Sequence, residues 1–341
     1  MEYLTKVNLN ALAKALGIHS STVSRALDPR KRHLIGKDLV RQIEEMAGNL
    51  GYHPDVTAAS LRTRRSRLVG ALVPDITNPV FSPIIAGLQE ELAADGYSLI
   101  LSNLAETSQQ IELIAKLAAR RVDGLVLATV SRQDEALTFC IERGIPVVLV
   151  NRSEERGLAS SVVSDDEAGI RLVVEHLIAL GHRLIGHVAG PSWLSTGFHR
   201  RVAFEKVTSE WKISARDGYV VEAGAFSREE GLVAARSVLA VHPKPTAIVA
   251  GNDLLAIGAY AAAAEFGFLC PRDISITGHN DMPFVDLISP PLTTVRISHR
   301  DMGRAAGRLL LEKIDNVEAE IVELVLQPQL AIRGSAAPPR S

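Results

Sequence analysis

Aromatic side chains make up only 4% of the 341 residues, and cysteine occurs twice, at Cys140 and Cys270. With few rings available, Leu, Val, Ile and Ala must fill the core; 47% hydrophobic residues suffice for two or three domains at this length. The two cysteines stand in no CxxC or Cys/His spacing, which argues against a disulfide framework or zinc site and fits a reducing cytoplasm. No run reaches the roughly 20 apolar residues of a membrane helix. Met1–Gly17 shows neither an apolar run nor a cleavage site, so no signal peptide is read. Motifs of enzyme chemistry are missing as well: GxxxxGK[ST], HExxH, GxSxG and GxGxxG do not occur. His176, His182 and His187 are too irregularly spaced for a metal site and read as surface or packed residues. Asp165-Asp166 reads first as a helix N-cap. No catalytic residue, metal or cofactor is expected.

The net charge of −2 conceals a division. Residues 1–67 hold 12 Lys+Arg against 6 Asp+Glu, a net of +6; the remainder holds 25 against 33, a net of −8. A basic front on an acidic body directs a polyanion partner to the front alone, although a solvated charged face gives the same count.

Within that front, Leu9, Leu12, Ala13 and Leu16 fall at i, i+3, i+4 and i+7, with Asn8 placed to cap and Gly17 to break the helix. A second short helix carries Val23, Ala26 and Leu27 inward, leaving Ser20, Ser21, Thr22, Ser24 and Arg25 outward. Two short helices across a glycine turn form a helix-turn-helix, whose second helix enters the major groove. There the hydroxyls can donate or accept, and Arg25 can fork onto guanine O6 and N7. A plain αα-hairpin fits the same spacing. A third helix is expected from about Lys37 to Leu50, with Val40, Ile43, Ala47 and Leu50 inward, ended by Gly51-Tyr52-His53-Pro54.

The stretches LNALAKALGIHSSTVSRAL and LGYHPDVTAASLRTRRSRLVGALVPDITNPVF resemble the lactose-repressor/galactose-repressor (LacI/GalR) family of bacterial regulators. The resemblance implies a DNA-reading headpiece over residues 1–54 and a hinge helix with linker over 55–66. It also implies an effector-binding and dimerisation body over 67–341. Leu61 matches the leucine that relatives wedge between base pairs in the minor groove, with Arg62 beside it; an apolar wedge bends the duplex and gains contacts in return. Packing of Leu61 on its own domain is the alternative. The chain departs from the pattern at His19 and Gly36, where the family has capping serines, at Ala59, where it has a hinge arginine, and in the longer, more basic loop Asp28–His33. Two lost caps, about 1 kcal/mol each, predict a weakened headpiece. Arg30, Lys31 and Arg32 could make phosphate contacts or remain solvated.

From Arg67 onward, short apolar runs alternate with helical patterns, which implies parallel sheets covered on both faces in right-handed, doubly wound lobes. Strands are read at Leu68–Val73, Ser98–Leu101, Gly124–Ala128, Pro146–Val150 and Val162-Val163, then at Leu184–Ala189, Gly218–Val221, Ala247–Ala250 and Ile274–Thr277. The blocks RRVDGLVL, GIPVVLVNR, HLIALGHRLIGHVAGP, GNDLLAIGAYAAAAEFGFLCPRDISITG and PPLTTVRIS extend the resemblance through the body. They imply a periplasmic-binding-protein fold: an N-lobe of about 67–163 plus 294–323, a C-lobe of about 164–293 plus 324–335, and an effector between them.

The family's ligand positions carry over onto Phe81, Arg200, Phe226, Asn252 and Asn280, while Asn103 and Arg152 end strands that face the cleft. Core packing for the rings, turn-making for the asparagines and salt-bridging for the arginines are the competing readings. Asn280 stands where many sugar-binding relatives carry Asp, and with two arginines nearby it directs the reading to a sugar acid, phosphosugar or small carboxylate. The expected protein is therefore a cytoplasmic, nucleoid-associated regulator, a homodimer on a near-palindromic operator; the tail GSAAPPRS has no leucine heptads that would bundle a tetramer. A secreted solute-binding protein would share the body without the basic front, and an enzyme would need a nucleophile or cofactor loop.

Overall fold

The computed structural model describes residues 8–27, 31–52, 65–104, 107–213 and 216–340. The hinge residues Leu61 and Arg62, Ala59 and the loop residues Asp28–Arg30 lie outside them. The chain divides into two compact units, Met1–Ser66 and Arg67–Ser341.

Among the described residues, the first unit holds three α-helices: α1 Leu9–Leu16, α2 Ser20–Ala26 and α3 Lys37–Asn49. Asn8 caps α1, its Oδ1 accepting from the Ala11 amide at 2.9 Å, and Gly17 ends it at φ +65°, where a side chain would be strained. The apolar spacing noted above closes one small core of Leu12, Ala13, Val23, Ala26, Val40, Ile43 and Ala47. Leu50, expected inward, is 39% exposed because α3 ends at Asn49 and the chain turns away at Gly51.

The cap expected to be lost at His19 is present. The imidazole Nδ1 accepts from the Ser21 amide at 3.2 Å and lies 2.7 Å from the Ser21 hydroxyl, satisfying one of the free N–H groups at the start of α2. Gly36 makes no side-chain cap on α3, as its composition requires.

The second unit holds two six-stranded sheets. β1 Leu68–Val73, β2 Ser98–Asn103, β3 Gly124–Leu127, β4 Val147–Val150, β5 Ser160–Ser164 and β11 Glu323–Leu326 form the first, in the order β11-β5-β4-β3-β1-β2, all parallel. β6 Ile185–Ala189, β7 Val220–Glu222, β8 Ala247–Ala250, β9 Ser275–Asn280, β10 Thr293–Arg296 and β12 Gln329–Ala331 form the second, in the order β12-β10-β9-β8-β6-β7. Only β12 runs antiparallel. Central strands such as GLVL and VVLV are buried along their whole length, as a sheet covered on both faces demands. The edge strand β2 instead has only exposed and half-buried residues.

The covering helices of the first lobe are α4 Phe81–Ala94, α5 Gln110–Ala119, α6 Glu135–Glu142 and α11 His299–Asp315; those of the second are α7 Asp166–Ala179, α8 Ser195–Glu210, α9 Arg228–Ala240 and α10 Asp253–Glu265. α4 and α11 approach to backbone contact, since a Cβ on Gly87 would overlap the Arg300 carbonyl oxygen and one on Gly303 that of Ile84.

The lobe boundaries differ from the expected ones. β10, placed in the first lobe from residue 294, pairs wholly with β9 in the second; β11, placed in the second from residue 324, pairs wholly with β5 in the first. The crossings thus follow Ser164, Arg296 and Leu326. Backbone pairing carries each strand to its end before the chain can leave the sheet. Residues beyond Arg333 pack on the second lobe, where the Ser335 hydroxyl, fully buried, donates to the Ile276 carbonyl at 2.6 Å and accepts from the Thr293 amide at 2.7 Å.

Candidate functional site

In the headpiece, Ser21 and Arg25 are exposed at i and i+4 on one face of α2, flanked by the half-buried Ser20, Thr22 and Ser24. Val23 and Ala26 hold the opposite face in the core, so the polar face has no competing role in packing. The Ser21 hydroxyl is shared with the His19 ring. Arg32 sits 3.6 Å from Glu44, both about half exposed, so this loop cation has an acidic neighbour on α3.

In the body, the crossings that follow β5, β10 and β11 all lie at carboxyl ends of strands, so the ends of both sheets converge, the place where open α/β sheets bind ligands. The two sides touch at the rim. The Ser153 amide donates to Ser195 Oγ at 3.1 Å, and the Arg132 amide to the Trp193 carbonyl at 3.1 Å. The Arg132 guanidinium also stacks 3.5 Å over the Phe198 ring.

Arg200, on α8, is almost fully buried and joins Asp166, at the start of α7, to Gly251, just past the carboxyl end of β8, in what is called the cleft floor below. Its Nε donates to Asp166 Oδ1 at 2.7 Å and its Nη1 to the Gly251 carbonyl at 2.8 Å. Asp165 is the N-cap of α7, accepting from the Ala168 amide at 2.9 Å, as the acidic pair predicted; its neighbour Asp166 instead forms this ion pair. Burial raises the Asp166 carboxyl while the Arg200 guanidinium opposes the rise. His279, on β9, reaches to 3.7 Å from the same carboxylate, is completely buried, and among the described residues has no hydrogen-bond partner for either ring nitrogen. Burial, then the Arg200 charge, drives its pKa far below the ordinary histidine value. His299 at the start of α11 is held to about 4 chiefly by burial, and among the described residues its Nε2 has no hydrogen-bond partner.

Arg152 follows Asn151, whose φ of +65° turns the chain at the end of β4. Its side chain is buried and among the described residues its Nε has no hydrogen-bond partner; desolvation, with Arg200 nearby, brings its pKa down to about 10. Asn280 ends β9 at φ +117°, a conformation rare for a residue with a side chain, and its buried Oδ1 accepts from no group among the described residues. Asp281 beside it pairs with Arg296 and Arg333, both at 2.6 Å.

The other ligand positions have identifiable local partners. Asn252 is the N-cap of α10, its Oδ1 accepting from the Leu255 amide at 2.8 Å. Next to it, Asp253 accepts from Thr294 Oγ1 at 2.5 Å and the Met282 amide at 2.8 Å, and burial pushes its carboxyl up to about 7. Asn103 accepts from the Ile76 amide at 2.7 Å, fixing the loop after β1. Phe226, half-buried, lies so close to Gly190 that a Cβ there would overlap its ring. Phe81 lies in the first-lobe core and lines a small apolar void with Ala71, Val73, Ile84, Val126 and Ala306.

Asp166, His279, Asp253, Thr294, His299 and Arg132 were not singled out for the cleft by sequence reasoning. Only Asp166 had a usable signal, being a second acid at a helix start where one suffices as cap. Among the described residues no group of His, Cys, Asp and Glu could hold a metal ion, and no helix is long and apolar enough to cross a membrane.

Residues 174–336 match the family described as a periplasmic binding protein-like domain. Over 96% of this chain and 96% of the relative, the sequence is 31% identical to the HTH-type transcriptional repressor PurR of Serratia proteamaculans (strain 568). The chain belongs to the LacI/GalR family. Its LacI/GalR fold is also that of the lac repressor dimer bound to operator and the anti-inducer ONPF, with a TM-score of 0.82 and 25% identity over 98% of this chain and 100% of that one. A transcriptional regulator CelR–cellobiose complex aligns at a TM-score of 0.75 and 26% identity, over 97% and 100% of the two chains. The LacI/GalR relatives are named as transcription regulators, not enzymes.

Proposed function

We propose that this LacI/GalR regulator is a homodimeric repressor that reads a near-palindromic operator and is switched by a small molecule held between its lobes. The observation that carries the reading is the pairing of two units: a basic helical front whose α2 exposes Ser21 and Arg25, and a body whose cleft floor is charged and buried. Ser20, Ser21, Thr22, Ser24 and Arg25 are assigned to base edges of the major groove, and Leu61 and Arg62 to the minor groove. The ligand is assigned as a sugar or sugar acid. Support comes from the cellobiose in the CelR complex and from a floor rich in hydrogen-bonding groups, with Arg152, Arg200, Asn252 and Asn280 as polar contacts and Asn103, Phe81 and Phe226 around them. Effector and operator are then linked, each altering the other's affinity by the same factor.

The test is a gel shift of genomic fragments with the full chain and with residues 67–341, a unit compact by itself. Fragment retention by the full chain alone, weakening steeply with salt, is expected. Equal retention by the truncated protein would refute the assignment of DNA reading to the headpiece. Calorimetric titration of that same body with neutral sugars and sugar acids tests the cleft.

A further inference from the structure

We infer that the effector is an anion and that Arg152, not Arg200, reads its carboxylate or phosphate. This rests on the cleft reading given above and narrows it to a ligand class and a specificity-determining residue.

The two arginines differ in what already satisfies them. Arg200 is neutralised by Asp166 at 2.7 Å and anchored by the Gly251 carbonyl at 2.8 Å, so two of its three nitrogens are committed before any ligand arrives. Arg152 is also enclosed, with 7% of its surface exposed, yet among the described residues no carboxylate pairs with it and its Nε is orphaned. Asp134 is the acid whose field reaches it, but both Asp134 oxygens serve elsewhere, accepting from the Leu137 amide at 3.0 Å and the Ser131 amide at 2.9 Å. The histidines of the floor offer no counter-charge, since an imidazole is neutral or cationic and burial disfavours the charged form of both His279 and His299, while Arg200 repels Arg152.

A buried cation without a partner is unfavourable, and an incoming anion removes the penalty while making charge-assisted hydrogen bonds. The planar guanidinium suits a carboxylate or phosphate, both of which accept two parallel N–H donors. Asn280 Oδ1, the orphaned acceptor on β9, requires the opposite of the ligand, a hydroxyl or N–H. A hydroxylated acid meets both demands. Arg200, besides any contact its third nitrogen makes, holds Asp166 and the end of β8 in place.

The experiment compares the purified full-length protein with Arg152→Met and Arg200→Met in thermal melts. Probes are D-gluconate, inorganic phosphate and D-glucose, with sodium chloride at matched ionic strength. Wild type is expected to melt higher in gluconate or phosphate than in chloride, and the better of the two identifies the anionic group. Arg152→Met should lose that response, an affinity loss of about 100-fold. It should also melt higher than wild type without ligand, because an unpaired buried charge has gone; a merely structural arginine would show the reverse. A gluconate or phosphate response that survives in Arg152→Met but vanishes in Arg200→Met overturns the assignment. Stabilisation of wild type by glucose alone overturns this inference and leaves the cleft reading standing. No response to any probe overturns both, and the gel shift reports on DNA reading independently.

Discussion

Removing Asp166 should unbalance the cleft floor more than any other single change. The Arg200 and Asp166 side chains are 3% and 9% exposed and lie 2.7 Å apart, so neither is appreciably solvated in the fold. Asp166→Ala leaves Arg200 with only the Gly251 carbonyl, in reach of a second buried cation, Arg152. Breaking a buried pair from one side costs about 3–5 kcal/mol, because the remaining charge stays desolvated. For a body of this size that corresponds to a fall in Tm of about 10 °C. Arg200→Met should cost a similar amount by stranding the carboxylate. The double variant Asp166→Ala/Arg200→Met should recover most of the loss, a coupling of about 3 kcal/mol in a double-mutant cycle followed by urea unfolding. Two single losses below about 1 kcal/mol, or losses that simply add, would refute the claim that this pair is desolvated and mutually dependent.

Acid should destabilise the body through its buried histidines. His187, held to about 4 by burial, stays neutral in the fold while the unfolded chain takes up a proton below about 6.5. Its contribution, about 3 kcal/mol, is therefore present above 6.5 and lost as pH falls toward 4; Asp253, raised to about 7, works in the opposite sense. His187→Phe should flatten the fall of Tm between pH 6.5 and 4, and an unchanged slope would contradict this. Gly303→Ala should lower stability by about 2 kcal/mol, since α4 and α11 must separate to admit a methyl group; calorimetry showing no loss would disprove the close approach. His19→Ala should weaken the headpiece by about 1 kcal/mol and His19→Asp should restore it, read by the urea dependence of headpiece circular dichroism. Equal stability of all three would mean the imidazole is no cap.

Much of the architecture was legible in the residue order because it depends on short-range patterns. Leu68–Val73 and Ala247–Ala250 announce buried strands by being continuously apolar, and Leu9, Leu12, Ala13 and Leu16 announce a helix face by their spacing. The charge division at residue 67 needs only counting. The cap at His19 was misjudged because capping depends on where a side chain's acceptor lies, and an imidazole nitrogen can take a serine's place. The lobe boundaries were misplaced because β10 and β11 are four residues each, too short to reveal which sheet they join. The cleft floor was least legible of all. Asp166 and Arg200 are 34 residues apart, and His279 comes to Asp166 from 113 residues away. Which arginine is paired and which is left alone follows from distances and dielectric surroundings that exist only once the sheets have closed on each other. Local order determined the elements and their sequence along the chain; three-dimensional proximity alone decided how the buried charges were shared.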